Sequence, residues 1–255
     1  MPSGWIWHKL AAMSSVAIQF TDVIKRYGST VALNGLSLRV AEGECIALAG
    51  VNGAGKTTLL KCLLDLVSLD SGRVEIFGVD HGETAARAPI AFLPERFVPP
   101  YYLTGRDFLT YMAKLDGRAF QPGRVVALFE ALDLELAVLD KPVRSLSKGM
   151  TQKLGLAACL LSDKRLYILD EPLSGLDPRA RARVKAEIMA LKRAGKTVFF
   201  TSHALADIEE LGDTLAVLHN QQLKFHGTPG ELKQRYARER AMDLESAFLN
   251  CIDEA

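Results

Sequence analysis

The stretch G-V-N-G-A-G-K-T-T at residues 50–58 has the residue types and spacing of a loop that binds phosphate. Gly50, Gly55, Lys56 and Thr57 fill the fixed places of the pattern G-x-x-x-x-G-K-[ST]. In this pattern backbone N–H groups surround the phosphates, the lysine reaches the outer phosphates, and the hydroxyl is a magnesium ligand. The alternative is a glycine turn that matches by chance.

An acidic pair in the second half of the chain is the next candidate. Asp170 and Glu171 directly follow the apolar run Leu166–Leu169, which has the composition of a strand buried in a parallel sheet. Ligands of open α/β sheets bind at the carboxyl ends of such strands, so we expect Asp170 to help hold magnesium. Glu171 is placed to accept a proton from an attacking water. The alternative is a solvated surface pair.

Three further side chains each allow a structural and a functional interpretation. Tyr27 is either a packing residue or an aromatic that stacks on a nucleotide base. Ser147 is either a helix N-cap or part of a second phosphate site at the helix N-terminus. His203 follows the apolar run Thr197–Thr201 and is either structural or a contact to the γ-phosphate. Spacing alone does not separate these interpretations.

The segments that flank the glycine-rich loop are those that a phosphate site requires. Cys45–Ala49 predicts a buried strand, and residues Thr57 to Leu66 have helical spacing. A strand that ends in a glycine turn and continues as a helix directs backbone N–H groups and the positive end of the helix dipole at one point. We therefore predict an α/β fold with a phosphate-loop NTPase core and a mostly parallel sheet.

Two smaller parts are predicted around this core. Short strands near the N-terminus form an antiparallel β subdomain, with apolar alternation at Val16–Phe20, Val31–Leu33 and Leu36–Val40. An α-helical subdomain is inserted at residues 84–150, with helical spacing at Thr104–Leu115 and Pro122–Leu134. Later helices are predicted from Ser147 to Leu161 and from Pro178 to Ala194, with Pro178 in the first turn.

Composition excludes several classes of protein. The 255 residues are 49% hydrophobic with a formal charge of +1, so the charge balance gives no reason to expect a nucleic-acid partner. No apolar run approaches the ~18 residues of a membrane span, and we expect a soluble chain. The four cysteines are widely separated and predict free thiols rather than a disulfide or metal framework.

The first and last segments stand apart from the predicted domain over residues 14–236. Residues 1–13 predict a disordered extension, with Met13 as a possible true start. An interfacial membrane anchor through Trp5, Ile6 and Trp7 is the alternative for this segment. Residues 237–255 predict a helical tail.

Taken together, these segments resemble the ATP-binding subunit of an ABC transporter, from about Val16 to Phe248. The glycine-rich loop is similar to the Walker A loop and Leu166–Asp170 to the Walker B strand. Leu146–Met150 resembles the signature motif and Ser174–Asp177 the D-loop, in the order typical of the family.

The resemblance implies ATP and Mg²⁺ as cofactors and gives each candidate a role. Thr57, Asp170 and Glu95 would contact magnesium, Glu171 would be the base, and His203 would orient the γ-phosphate, with Lys56 as a further catalytic residue. The remaining nucleotide contacts would be Tyr27 on the adenine, Gly50, Asn52, Gly53, Gly55 and Thr58 in the loop, and Ser147, Gly149 and Asp177. Ser147 and Gly149 would act on ATP held by a second copy, so the implied unit is a head-to-tail homodimer.

Two departures from the family pattern stand out. Glu95 occupies the place of the usual glutamine, and the signature motif is L-S-K-G-M rather than L-S-G-G-Q, with Lys148 and Met150 at the variable places. Both variants resemble the prokaryotic subgroup that drives multidrug, lipid, polysaccharide or copper-related export through a separately encoded permease. The subunit would then lie in the cytoplasm, peripheral on the cytoplasmic face of the plasma membrane. A soluble ABC-type ATPase acting in translation or DNA repair is the alternative, and a module that binds ATP without hydrolysis is a third.

Overall fold

The computed structural model describes residues 15–236 and 243–254, and the described chain divides into two compact units. Unit 1 contains residues 15–88 with the described part of 212–254, and unit 2 contains residues 89–211. The predicted extension at 1–13, with Met13 and the anchor residues Trp5, Ile6 and Trp7, lies outside the described residues. The predicted domain bounds of 14–236, 84–150 and 237–255 stay predictions.

Strands and helices alternate through both units. Unit 1 contains β1 (Val16–Tyr27), β2 (Thr30–Ala41), β3 (Cys45–Ala49), α1 (Lys56–Leu63), β4 (Ser71–Ile76), β5 (Val79–Asp80), α2 (Thr84–Arg87), β9 (Thr214–His219), β10 (Gln222–Gly227), α8 (Pro229–Tyr236) and α9 (Leu244–Asp253). Unit 2 contains β6 (Ile90–Leu93), α3 (Gly105–Leu115), α4 (Pro122–Ala131), two 3₁₀ turns (Leu136–Asp140 and Val143–Ser145), α5 (Lys148–Leu161), β7 (Leu166–Leu169), α6 (Pro178–Arg193), β8 (Thr197–Thr201) and α7 (Leu205–Leu211). The predicted α/β fold class is confirmed.

The predicted antiparallel β subdomain is present in unit 1, with strand order β2-β1-β4-β5. The prediction of two short strands at 31–33 and 36–40 is wrong, because β2 is one continuous strand. Its pairing with β1 moves from Lys25↔Leu33 to Val23↔Leu36, so β2 carries one extra residue at this point. Gly35 has φ +66°, and such a bulge lets the chain pass the insertion without leaving the sheet.

The strand before the glycine-rich loop is fully buried, as its apolar run predicts. β3 pairs in parallel with β9, from Ile46↔Thr214 to Ala49↔Val217, and β10 adds to β9 in antiparallel fashion. The following helix α1 ends at Leu63 rather than at the predicted Leu66. Asp65 has a left-handed backbone with φ +55°, which a continuing helix does not accept.

Unit 2 contains the parallel strands β6, β7 and β8 in register, so that Leu93 lies beside Leu169 and Leu169 beside Phe200. All residues of β7 and β8 are buried, which explains their unbroken apolar runs. The carboxyl ends of the three strands therefore lie at one edge. Residues that follow Leu169 and Phe200 emerge side by side there.

Local capping fixes where the unit 2 helices begin. Thr104 and Asp107 form a capping box at the start of α3, and Ser147 caps α5. Pro178 occupies the first turn of α6, as predicted, and the structure adds that Asp177 is the N-cap of this helix. The helix predicted to run to Leu134 ends at Ala131, because Asp133 has φ +52°.

The four cysteines are free and buried, as predicted from their spacing. Burial raises the pKa of the Cys62 thiol to about 11 and that of Cys159 to about 12. Among the helices of the described residues, none combines the length and apolar character that crossing a bilayer requires.

Candidate functional site

The glycine-rich loop of unit 1 is held in a shape that only glycine permits. Gly53 and Gly55 have φ +80° and +109°, in the left-handed region that side chains disfavour. A Cβ on Gly55 would lie 2.5 Å from the Ala32 carbonyl oxygen, and one on Gly50 would lie 2.4 Å from that of Leu218. The loop is thus pressed against the backbone of β2 and β9, and its path is fixed.

Lys56 closes this loop from inside the first turn of α1. Its Nζ donates hydrogen bonds to the carbonyl oxygens of Gly50 at 2.6 Å and Val51 at 3.3 Å. The side chain therefore reaches across the loop rather than into solvent. No acidic residue lies in the first turn of α1, where the Thr57 side chain is exposed and Thr58 half-buried. Positive charge and backbone N–H groups dominate this point, which favours an anion.

Tyr27 ends β1 in the same unit and is 48% exposed. The Lys25 Nζ lies 5.3 Å from the center of its ring, within the range of a cation–π contact. About half of the surface of this residue is exposed, so packing leaves part of it accessible to a ligand. Stacking on a base stays a prediction.

Asp170 and Glu171 lie at the carboxyl end of β7 and are buried, so they are not a solvated surface pair. Thr201, the last residue of β8, is bonded to both. Its hydroxyl donates to Asp170 Oδ1 at 2.7 Å and accepts from the Glu171 backbone N–H at 2.8 Å. The Asp170 N–H donates to the Leu93 carbonyl oxygen at 2.8 Å. Three adjacent strands thus fix the acidic pair.

His203 meets the carboxylate of Glu171. Its Nε2 lies 3.1 Å from Glu171 Oε1, while its side chain is 54% exposed. Glu171 has φ +49°, an unusual conformation for a residue other than glycine. Strained backbone of this kind is concentrated at functional sites, where surrounding contacts hold it in place. A buried carboxylate, a histidine and an exposed approach path form an arrangement that can move a proton.

The start of α5 lies against the D-loop, residues 174–177. The Ser147 hydroxyl accepts from the Met150 N–H at 3.2 Å, so the N-cap prediction is confirmed, and its phosphate role stays a prediction. A Cβ on Gly149 would meet only Leu176, at 3.7 Å, and one on Gly175 would lie 3.4 Å from Lys148 Nζ. Asp177 is exposed, and the Ala180 N–H that it accepts holds the pKa of its carboxyl below the usual range.

The predicted site residues thus form local groups within each unit. Unit 1 holds the glycine-rich loop with Lys56, and also Tyr27 and Asn52. In unit 2, Asp170, Glu171 and His203 are brought together. Gly149 lies beside the D-loop, whose last residue is Asp177, and Ser147 caps the helix that contains Gly149. Glu95 is exposed in the segment that follows β6.

Two features of this region do not stand out in the sequence. Thr201 was part of a predicted strand, and its position at the strand end just before His203 is the only signal that it touches the acidic pair. Asp207 lies four residues after His203, on α7, and its side chain is 3% exposed. Its Oδ2 lies 2.7 Å from Arg181 Nη2 and its Oδ1 2.8 Å from Lys185 Nζ, both on α6.

This ionic cluster ties the helix that follows the D-loop to the helix that follows His203. Burial favours the neutral amine of Lys185, but hydrogen bonds to Asp207 and Glu210 outweigh this effect and hold its pKa above the usual value. The Lys185–Glu210 contact measures 2.5 Å, and the Glu210 side chain is 51% exposed. One lysine therefore has a buried and an exposed partner.

Replacing Asp207 with asparagine is expected to lower the free energy of unfolding by about 3 kcal/mol, because two cations lose their buried counter-charge. Replacing the exposed Glu210 with glutamine should cost less than about 1 kcal/mol. Urea unfolding followed by circular dichroism measures both. Equal, small effects would show that the buried contact does not stabilise this unit.

Comparison with known proteins gives a consistent picture. Residues 33–174 match the protein-family model described as ABC transporter. An ABC transporter ATP-binding protein of Synechocystis is 39% identical over 203 residues, which is 78% of this chain and 57% of that relative. The chain thus spans a little over half of that relative's length.

Two more similarities extend over most of both partners. A Nod factor export ATP-binding protein I of Rhizobium is 35% identical over 228 residues, which is 88% of this chain and 75% of that protein. Among solved structures, an ATP-binding subunit of an ABC transporter superposes with a TM-score of 0.82 at 28% identity, covering 92% of this chain and 99% of that chain.

Proposed function

The chain belongs to the ABC transporter ATP-binding family, and on this premise we propose that it binds and hydrolyses ATP to drive a transporter whose permease is a separate protein. The observation that carries the hydrolytic part is the buried acidic pair at the end of β7. Asp170 and Glu171 are fixed by Thr201, and Glu171 contacts the exposed His203. A passive nucleotide-binding module has no need for a base and a histidine held in this way.

The residues present fit a magnesium nucleotide. The loop has no room for a Cβ at Gly50 or Gly55, and in our proposal backbone N–H groups of this loop bind phosphate oxygens. Thr57 and Asp170 offer a hydroxyl and a carboxylate, and Glu95 a second carboxylate, which are the hard oxygen donors that magnesium prefers. Bound magnesium would neutralise charge on the β- and γ-phosphates. We assign Thr57, Asp170 and Glu95 to that ion.

The chemistry that we propose is positioning with charge neutralisation. Lys56, released from its carbonyl contacts in the loop, binds the outer phosphates. Glu171 accepts a proton from the attacking water, and His203 orients the γ-phosphate through its exposed face. Tyr27 stacks on the adenine. Ser147 and Gly149 act on ATP held by a second copy, in a head-to-tail homodimer that opens after hydrolysis.

A surface for the permease begins next to Glu95. The segment between β6 and α3 exposes three large apolar side chains, with Val98 at 84%, Tyr101 at 65% and Tyr102 at 69% exposure. Its backbone is anchored near α5, because Val143 and Arg144 donate to the carbonyl oxygens of Leu103 and Tyr101. A segment that carries exposed aromatics and also joins both nucleotide-contacting parts of unit 2 is suited to transmit closure to a partner. Export, rather than import, is proposed because the Rhizobium relative is named for export.

Phosphate release by the purified chain tests the enzymatic proposal. We expect turnover that requires Mg²⁺ and is lost in Lys56→Ala, which cannot neutralise the outer phosphates. Gly123→Ala is the matched control, because this glycine lies in the first turn of α4 with no atom within 4 Å of the added Cβ. Tight ATP binding without phosphate release in the wild-type chain would contradict the proposal.

Co-purification from membranes in mild detergent tests the partner. We expect a multispanning membrane protein to be retained by the wild-type chain and lost with Tyr101→Ser/Tyr102→Ser. The control Tyr27→Ser removes an exposed tyrosine from unit 1, where it should affect nucleotide affinity and not retention. Recovery of ribosomes or nucleic acid instead of a membrane protein would refute the transporter assignment.

A further inference from the structure

We propose that Thr201 is a positioning residue for hydrolysis, whose single hydroxyl sets both the magnesium-binding carboxylate and the base. The inference rests on the proposed function and deepens it. Thr201 acts through Asp170 and Glu171, the two residues to which it is bonded.

The hydroxyl makes one bond to each of these two residues, as a donor to Asp170 and as an acceptor from Glu171. Thr201 is 0% exposed, so water does not compete for its hydrogen bonds. Its proton goes to Asp170 Oδ1 at 2.7 Å, and its oxygen accepts the Glu171 N–H at 2.8 Å. A hydroxyl is the smallest group that both donates and accepts, so no apolar residue of similar shape replaces it.

The donated bond holds one oxygen of the Asp170 carboxylate. A carboxylate at the end of a strand rotates freely about its last bond unless one oxygen is held. Thr201 holds Oδ1 from the neighbouring strand, and residues that orient a metal-binding carboxylate in this way affect metal affinity strongly. We therefore expect Thr201 to lower the magnesium concentration that ATP binding requires.

The accepted bond secures the strained peptide at Glu171. With φ +49°, this residue is held in a conformation that costs free energy unless surrounding contacts determine it. The N–H that points to Thr201 is such a contact, and it is buried. Without the Thr201 hydroxyl, the Glu171 N–H has no acceptor at this position and the left-handed backbone is less stable. We then expect the Glu171 carboxylate to move away from His203.

Thr201 and His203 are two residues apart in the same segment. The end of β8 thus delivers the hydroxyl that fixes the backbone of Glu171 and the imidazole that contacts its carboxylate at 3.1 Å. A movement of this strand end shifts the base and its histidine together. The geometry assigns to Thr201 the role of keeping these groups in a constant relation.

The test compares Thr201→Val, which keeps the branched shape and removes the hydroxyl, with Thr201→Ser, which keeps the hydroxyl. Thr197→Val is the matched control, because Thr197 is equally buried at the opposite end of the same strand. Two readouts are measured: kcat and KM for phosphate release, and the affinity for a fluorescent ATP analogue over a series of Mg²⁺ concentrations.

For Thr201→Val we expect kcat to fall about 10- to 100-fold and the Mg²⁺ requirement for nucleotide binding to rise by about 10-fold. Thr201→Ser should stay within about 3-fold of wild type in both readouts, and so should Thr197→Val. A purely structural role would lower thermal stability equally in both valine variants without changing the Mg²⁺ requirement.

Three outcomes decide the matter. If Thr201→Val keeps kcat and the Mg²⁺ requirement within 2-fold of a turning-over wild type, the inference is wrong. If the wild type binds nucleotide but releases no phosphate, the proposed hydrolysis fails, and the Mg²⁺ readout still decides on Thr201. If Thr201→Val does not fold, Thr201→Ala replaces it, because alanine removes the hydroxyl without placing a methyl against Asp170, and the same limits apply.

Discussion

Glu171→Gln is expected to bind ATP with nearly wild-type affinity, to accumulate as a dimer in the presence of Mg²⁺ and ATP, and to release phosphate at least about 100-fold more slowly. Glutamine has the size of glutamate and keeps a side-chain oxygen. In the wild-type chain, Glu171 Oε1 lies 3.1 Å from His203 Nε2, and the glutamine oxygen can take this place. It cannot accept a proton from water at neutral pH. The chemical step is therefore removed while the site around it is retained.

The structure explains why nucleotide binding should survive this change. The unusual backbone of Glu171 is held through its N–H, which donates to Thr201, and not through its carboxylate. The substitution leaves that bond in place. Asp170 also keeps its contacts to Thr201 and Leu93. The dimer should then persist because the step that normally opens it does not occur.

Glu187→Gln is the matched control for this experiment. Glu187 is half-buried on α6 of the same unit, and burial raises the pKa of its carboxyl. The same chemical change there should leave turnover within about 2-fold of wild type. Phosphate release and size-exclusion chromatography with light scattering measure the two properties. Near-normal phosphate release by Glu171→Gln would refute the assignment of Glu171 as the base.

The sequence predicted those parts of the site whose structure depends on the residue types of a short continuous segment. Asp170 and Glu171 could be placed at a strand end because a short unbroken apolar run is typical of a strand buried in a parallel sheet. The N-cap interpretation of Ser147 rested on a serine that directly precedes a helical pattern, and the structure shows this cap. Both features depend on neighbouring residues in the sequence and not on contacts between distant segments.

The parts that were missed depend on contacts between segments far apart in the chain. Thr201 lies 31 residues from Asp170, and nothing about a threonine in an apolar strand marks it as the partner of a carboxylate. Asp207 looks like an ordinary acidic residue on a polar helix until α6 supplies two cations. The bulge at Gly35 was hidden as well, since a glycine between two apolar runs more often signals a turn.

The departure of the signature motif from the usual pattern has a local consequence. Lys148 is the first residue of α5, and no acidic residue lies in the first turn of that helix. A cation at the positive end of a helix is unfavourable unless an anion compensates it. Its Nζ lies 3.4 Å from the position of a Cβ on Gly175 of the D-loop, so a positive charge is present near Gly149. In the composite site that we propose, the γ-phosphate of ATP held by a second copy would supply an anion at this helix end.

Gly149→Asp should separate nucleotide binding from assembly. We expect ATP affinity within about 2-fold of wild type, loss of the ATP-dependent dimer, and at least about 100-fold slower phosphate release. The new Cβ meets only Leu176, at 3.7 Å, so the fold accepts it, and an acidic residue in the first turn favours the helix. Lys148 does not neutralise it, because side chains one residue apart on a helix do not face each other. The carboxylate would instead repel the γ-phosphate that arrives with the second copy.

Gly123→Asp provides a control of the same chemistry, because Gly123 lies in the first turn of α4 with no atom within 4 Å of the added Cβ. Both variants gain one negative charge at a helix N-terminus of unit 2, and both should match or exceed the thermal stability of wild type. Only Gly149→Asp should lose dimer and turnover, as measured by light scattering and phosphate release. A fully active Gly149→Asp would mean that the start of α5 does not meet a nucleotide, and that each chain hydrolyses ATP without help from a second copy.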